Sequence, residues 1–250
     1  MQRFFVSAQL AIGRPIALTG DQAHQVRRVL RMRPGDRAIL LDGRGNACEG
    51  VLTAIGEAEV QFQVTQRLAT TGEPTVHITL YQAVLKGERF GWALQKGVEV
   101  GVSAFVPLIG ERNVVDDATA VEAKRSRWLR IIQEAAEQCG RSRLPELASA
   151  QRFDQAVQSV GPSQHGASLR LLLWEGERQA RLRAALSECN VGPDAGIQLF
   201  VGPEGGFSDA EVALARACGV RTIGLGPRIL RAETAGVVAA ALILYELGDI

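Results

Sequence analysis

The sequence lacks the patterns that announce metals, disulfides or membranes. Its four cysteines (Cys48, Cys139, Cys189, Cys218) are scattered, with no C-x-x-C spacing. A disulfide framework and a thiolate metal site are therefore not expected, and the thiols read as reduced packing residues of a cytosolic protein. His24, His77 and His165 form no H-E-x-x-H or His/Cys cluster, so no metal is expected. Neither G-x-x-x-x-G-K-[ST] nor G-x-G-x-x-G occurs, which removes the common phosphate-cradling loops. The longest apolar run, 235–245, is too short to span a bilayer and is flanked by Glu233 and Glu246. A secretory leader is not expected either, because Arg3 is followed only by Phe4-Phe5-Val6 before polar residues resume. No internal repeat or low-complexity tract is visible.

Among 250 residues, 46% are hydrophobic, enough for a sizeable core in one large domain or two smaller ones. The net charge of +1 conceals an uneven distribution, for residues 1–37 hold seven arginines against Asp21 and Asp36. Such a basic front end fits a polyanion partner, and from charge alone it fits a solvated helix face equally well.

Residues 21–33 have helical spacing, with Ala23, Val26, Val29 and Leu30 on one face, Asp21 as N-cap and Pro34-Gly35 as the stop. Strands are expected at 38–41, 46–55 and 60–67, giving a small β-rich unit over 1–68. A linker rich in small residues follows at 69–75. From 76 to 250, strands at 76–85, 104–109, 145–148, 169–174, 197–201 and 222–225 alternate with helices at 89–100, 120–138, 154–160, 179–189, 209–218 and 233–247. That alternation predicts an α/β domain with a largely parallel sheet.

Two glycine-rich turns near the end carry most of the information. The first is Val201-Gly202-Pro203-Glu204-Gly205-Gly206-Phe207-Ser208, and the second is Leu225-Gly226-Pro227-Arg228-Ile229-Leu230-Arg231-Ala232-Glu233-Thr234-Ala235. Each follows a short apolar strand and opens a helix, the usual place for a ligand in an α/β sheet. Gly205 and Gly206 let a flat ligand approach the main chain. Ser208 and Glu211 have capping-box spacing. A carboxylate at Glu204 would repel a phosphate, so a neutral or cationic nucleoside suits the turn better. A plain αβ turn without a ligand, and an ion pair between Arg231 and Glu233, are the alternatives.

These turns resemble those of the RsmE family of ribosomal RNA methyltransferases. Three further blocks extend the resemblance to essentially the whole chain. They are His24 with Val29-Leu30-Arg31…Gly35-Asp36; Lys86…Gln95-Lys96-Gly97-Val98-Glu99…Pro107…Glu111-Arg112; and Trp128…Glu134-Ala135-Ala136-Glu137-Gln138…Arg141-Ser142-Arg143-Leu144-Pro145. The chain departs from the family pattern at Gln25, Val100 and Ala232, the last removing a hydroxyl between Arg231 and Glu233. The resemblance implies a PUA-like β-barrel followed by a SPOUT-type parallel sheet with a C-terminal trefoil knot. It implies S-adenosyl-L-methionine as cofactor, N3 of a uridine in 16S rRNA or the small ribosomal subunit as target, a homodimer, and a cytoplasmic location.

On that reading Arg231 stabilises the uridine anion, and Glu233 orients Arg231 or accepts the proton. Cofactor contacts are expected from Leu173, Trp174, Val201, Gly202, Glu204, Gly205, Gly206, Leu225, Ile229 and Leu230. Glu204 either attracts the cofactor's cationic end or braces the turn. RNA contacts are expected from Arg3, His24, Arg27, Arg28, Arg31, Lys86, Arg89, Arg112, Arg141 and Arg143, although Arg141 and Arg143 have Glu137 and Glu146 as alternative ion-pair partners. Methylation at a ribose 2′-oxygen or on tRNA, or a noncatalytic role in ribosome assembly, are the competing functions.

Overall fold

The computed structural model describes residues 1–114, 117–159, 168–188 and 196–250. His165, Cys189 and the expected helix end at Val160 lie outside the described residues. Two compact units emerge, Met1–Glu73 with Gln133–Leu144, and Pro74–Ile132 with Pro145–Ile250.

The first unit contains β1 (Gln2–Phe5), β2 (Pro15–Thr19), α1 (Gly20–His24), β3 (Arg37–Leu41), β4 (Ala47–Ile55) and β5 (Glu59–Leu68). They form one sheet in the order β1-β3-β4-β5-β2, with β1 parallel to β3 and the other pairs antiparallel. Alternation along β2 and β5 turns Ile16, Leu18, Val60, Phe62 and Val64 inward, as a sheet with one solvated face requires. Register shifts at Glu49/Gly50 and Leu52/Ala54 bend β4 and curl the sheet. A glycine at Gly50 suits this packing, because a Cβ there would stand 2.8 Å from Leu40 Cδ1 and displace that buried side chain. Neither β1 nor β2 was expected.

The helix expected over 21–33 takes a different form. Thr19, not Asp21, is the N-cap, and after His24 the backbone widens into a π-helical stretch, Gln25–Val29. The wider turn rotates the periodicity. Ala23 and Val26 stay buried, whereas Val29, expected on the same face, is exposed.

Residues 133–144 are tied into this unit chiefly through Glu73. Its carboxylate accepts the backbone N–H groups of Ser142 (2.7 Å) and Arg143 (2.8 Å) and pairs with Arg141 at 3.0 Å. The Phe5 N–H donates to Glu137.

The second unit comprises β6 (His77–Ala83), α2 (Arg89–Val100), β7 (Ala104–Ile109), α3 (Ala118–Glu122), α4 (Arg125–Cys139, its last turns belonging to the first unit), β8 (Glu146–Leu147), β9 (Gln151–Arg152), α5 (Phe153–Ser159), β10 (Ser168–Leu173), α6 (Leu182–Glu188), β11 (Gly196–Val201), α7 (Asp209–Ala217), β12 (Arg221–Ile223) and α8 (Ala232–Glu246). The strands pair in parallel in the order β12-β10-β11-β6-β7-β8, with β9 also on β7. Near-continuous apolar strands such as β7 and β11 are buried on both faces, the signature of such a sheet. The single helix expected at 120–138 is broken into α3 and α4.

Helix α8 is apolar nearly all round, and α2 packs beside it. Gly236 lets α8 approach the sheet, since a Cβ there would meet Gln82, Leu80 and Val201 at 3.0–3.3 Å. Among the described residues no helix is long and apolar enough to cross a membrane.

Candidate functional site

Within the second unit, a cavity of about 560 Å³ opens at the C-terminal ends of β10, β11 and β12, the volume of a small-molecule site. Both glycine-rich turns line it. So do all the residues expected to contact a cofactor, together with Arg231 and Glu233. The adjacency follows from strand order. With β10 between β11 and β12, the residues after Leu173, Val201 and Ile223 emerge side by side.

The first turn is braced from several directions. Ser208 caps α7, and its hydroxyl accepts the Glu211 N–H while Glu211 accepts the Ser208 N–H, a complete capping box. Glu211 also accepts the N–H of Glu111 at 2.8 Å, and the Glu111 carboxylate in turn accepts the Ser208 hydroxyl at 2.6 Å. Arg112 donates to the Gly205 carbonyl at 2.9 Å. Asn113 bridges the Gly110 N–H and the Val84 carbonyl beneath. Glu204 accepts the Lys86 N–H at 3.2 Å and pairs with Arg89 at 3.3 Å. Of its two expected roles, bracing the turn is the one its contacts serve.

A third turn, after β10, closes through a Glu177 N–H bond to the Trp174 carbonyl. The Glu177 carboxylate accepts the N–H groups of Gln179 and Ala180, the Thr222 hydroxyl and Arg216. Those backbone bonds, then the Thr222 hydroxyl and the Arg216 charge, hold the Glu177 carboxyl below its ordinary pKa. The Arg216 guanidinium also sits over the Trp174 ring, 5.3 Å from its centroid.

The second turn is different in kind. Arg228 and Arg231 are exposed, Ile229 is 82% exposed, and no ion pair joins Arg231 to Glu233 among the described residues. Glu233, in the first turn of α8, keeps one carboxylate oxygen buried without a hydrogen-bond partner. A buried carboxylate oxygen left without a donor is costly, so a partner arriving with a ligand is the natural way to satisfy it. The apolar lining, the glycine pair and this orphaned acceptor together fit a nucleoside with hydrogen-bond donors.

The arginines expected to meet RNA fall into two groups. In the first unit His24, Arg28, Arg31 and Arg143 are exposed and Arg3 is half-buried. Arg31 is the single described non-glycine residue with a positive φ, 52°. Arg27 is engaged by the carbonyls of Ala23, Gly56 and Glu57. Arg141 does not stand where RNA would meet it, for it is 5% exposed and paired with Glu73; its charge neutralises a buried carboxylate and is not presented outward. In the second unit Lys86 is exposed, whereas Arg89 and Arg112 hold the first turn, as described above.

Sequence reasoning missed Glu175 and Asn113, and it quoted Glu111 only as part of the resemblance, without a role. Glu175 directly follows two residues that were named. Nothing in the sequence singles out Asn113.

Residues 72–244 match the family model of the RNA methyltransferase domain, and residues 18–65 match that of the RNA methyltransferase PUA domain. A ribosomal RNA small subunit methyltransferase E from Bacillus subtilis is 33% identical over 98% of this chain and 97% of its own. The protein of that name from Synechocystis is 37% identical over 96% of this chain and 76% of its own. The crystal structure of that methyltransferase from Neisseria gonorrhoeae, bound to S-adenosyl methionine, superposes with a TM-score of 0.87 at 31% identity, covering 98% of both chains. The chain belongs to this RNA methyltransferase family.

Proposed function

We propose that the protein transfers a methyl group from S-adenosylmethionine to N3 of a uridine in the 16S rRNA of the small ribosomal subunit, in the cytoplasm. The observation that carries this reading is the single cavity in which both glycine turns, Arg231 and Glu233 meet. The names and the bound cofactor of relatives that match nearly end to end support the substrate and the donor.

When bound, the cofactor supplies a methyl group on a positively charged sulfur. The remaining work belongs to the chain. Leu173, Val201, Leu225 and Leu230 offer apolar surface to the adenine, and the glycine pair leaves the main chain open to its sugar. A uridine N3 becomes nucleophilic on losing its imide proton, and the resulting charge spreads onto the flanking carbonyl oxygens. Arg231, at the N-terminus of α8 and without a counter-ion among the described residues, stabilises that anion. The orphaned oxygen of Glu233 accepts the proton.

The first unit grips the RNA backbone through His24, Arg28, Arg31, Arg3 and Arg143. Its matching PUA model supports this role. The strand order of the second unit supports the C-terminal trefoil knot implied by the resemblance. A homodimer accounts for α8, which leaves Leu242 and Tyr245 42% and 65% exposed on an otherwise apolar helix. Sedimentation at micromolar concentration should find twice the 26.9 kDa chain mass; a single species at the chain mass refutes the dimer.

The decisive assay is radiolabelled methyl transfer onto purified small subunits lacking the modification, followed by nucleoside analysis. Label in N3-methyluridine is expected. Label in a 2′-O-methyl nucleoside or in tRNA moves the reaction to another RNA position, and no transfer with intact cofactor binding leaves an assembly factor.

A further inference from the structure

We propose that Glu175 holds the ribose of the nucleoside in this cavity, its carboxylate accepting hydrogen bonds from the vicinal 2′- and 3′-hydroxyls. The assignment rests on the nucleoside-cofactor reading above and adds to it the group that recognises the sugar.

Four carboxylates line the cavity: Glu175, Glu177, Glu204 and Glu233. Two are already committed. Glu177 takes four donors from its own wall, and Glu204 is held by the Lys86 N–H and Arg89. Glu233 stands in the first turn of α8, beside Arg231. Glu175 has no hydrogen-bond or ion-pair partner among the described residues, and it is exposed toward the cavity.

Its position is nevertheless fixed. Glu175 follows Trp174 in the turn closed by the Glu177 N–H to Trp174 carbonyl bond of 3.1 Å. The Trp174 ring folds over Gly176, where a Cβ would come within 2.5 Å of it, and Arg216 covers the ring at 5.3 Å. The turn is thus held on both sides of Glu175, which projects from the middle.

The neighbouring strand supplies the second half of the site. Leu173 and Val201 are register partners, so the turn after β10 and the glycine turn after β11 stand side by side. The Glu175 carboxylate rests against Gly206, and any Cβ at that position would overlap it. Gly206 also has φ +66°, which an L side chain rarely adopts. A bare stretch of main chain beside an uncommitted carboxylate is what a sugar ring with two adjacent hydroxyls requires. A carboxylate at a strand end taking ribose hydroxyls is a general solution in α/β folds, since its two oxygens match two vicinal donors.

The test uses three ligands and a variant series. S-adenosylmethionine, 5′-methylthioadenosine and 2′-deoxy-5′-methylthioadenosine are titrated calorimetrically into the wild type, Glu175→Gln and Glu175→Ala. Hydrogen bonds to a charged acceptor predict a loss of about ten- to a hundredfold in affinity for Glu175→Ala, equal for S-adenosylmethionine and 5′-methylthioadenosine, with Glu175→Gln intermediate. In the wild type the 2′-deoxy ligand should bind more weakly than its parent, and in Glu175→Ala that difference should vanish. Weakened S-adenosylmethionine with unaltered 5′-methylthioadenosine would show that Glu175 serves the amino-acid tail, and a 2′-deoxy penalty that persists in Glu175→Ala would place ribose recognition elsewhere. Either result overturns the assignment while the nucleoside site stands. A wild type that binds none of the three overturns both. Unchanged melting temperatures of the variants, expected for an exposed side chain, exclude misfolding as the cause.

Discussion

The two glycine-rich turns that frame the cavity follow β11 and β12, which flank β10 in one sheet, and have similar sequences, yet they are built in opposite ways. The 202–208 turn is held by Arg112, by the Ser208–Glu211 capping box with Glu111, and through Glu204 by Lys86 and Arg89. The 224–231 turn presents Arg228, Ile229 and Arg231 to solvent, and beyond it Glu233 keeps an orphaned oxygen. A hydrogen bond made within the protein cannot also be offered to a ligand. The first turn therefore serves as a fixed wall, and the second leaves its charge open to a ligand. On the proposed mechanism, preorganisation and reactivity are divided between two stretches of chain.

The largest effect that separates them is expected at Arg231. Replacing it with alanine removes an exposed guanidinium with no ion-pair partner among the described residues, so folding should be unaffected. Loss of one donor to a developing anion costs about 3–4 kcal/mol in the barrier, or roughly 10²–10³ in turnover. Calorimetry should still detect cofactor binding by Arg231→Ala. Near-normal methyl transfer by this variant would remove Arg231 from the chemistry and with it the contrast between the turns.

Glu211→Ala should show the reverse signature. Glu211 is 8% exposed, and its carboxylate accepts two backbone N–H groups, from Glu111 and Ser208. Its removal strands both donors and costs about 2–4 kcal/mol of stability, lowering the melting temperature by about 5–10 °C. Cofactor affinity should fall with the loosened wall, while turnover at saturating cofactor changes little. A thermal scan paired with cofactor titration checks this. If turnover collapsed with no change in melting temperature, the first turn would be taking part directly in the reaction.

The fold was legible where a pattern repeats. Alternation over β5 and the chain of βα units in the second half left little choice of architecture, and Ser208 with Glu211 announced a helix start that the structure contains in full. Both turns could be found because glycine and proline punctuate them, and the strand order then brings them to one cavity. What escaped was nonlocal. Arg141 and Arg143 look alike in sequence, yet Glu73, far away along the chain, buries one guanidinium and leaves the other outside. Arg112 reads as one more positive charge until its contact with the Gly205 carbonyl makes it part of the wall. The π-helical turn at 25–29 moved Val29 off the face that a 3.6-residue period assigns it. Glu175 was missed for a simpler reason: the role proposed for it rests on its having no partner among the described residues, and a sequence does not display an absence of contacts.

The smallest expected effect concerns the third turn, which supports Glu175 from behind. The Glu177 carboxyl is held below its ordinary pKa, first by the N–H groups of Gln179 and Ala180, then by the Thr222 hydroxyl and the Arg216 charge. An acid whose pKa is depressed on folding contributes stability that is complete above its unfolded pKa, about 4.3 for a glutamate, and is lost as pH falls through the lower folded value. The stability difference between the wild type and Glu177→Gln in urea should therefore be constant near neutrality and shrink only below the ordinary carboxylate range. Thr222→Val removes one donor without touching the charge, so the loss should then begin at a higher pH than in the wild type. A difference that instead shrinks as pH rises from 5 to 8 would mean that the Glu177 contacts do not act through its ionised form. The rigidity ascribed to the wall around Glu175 would then need another source.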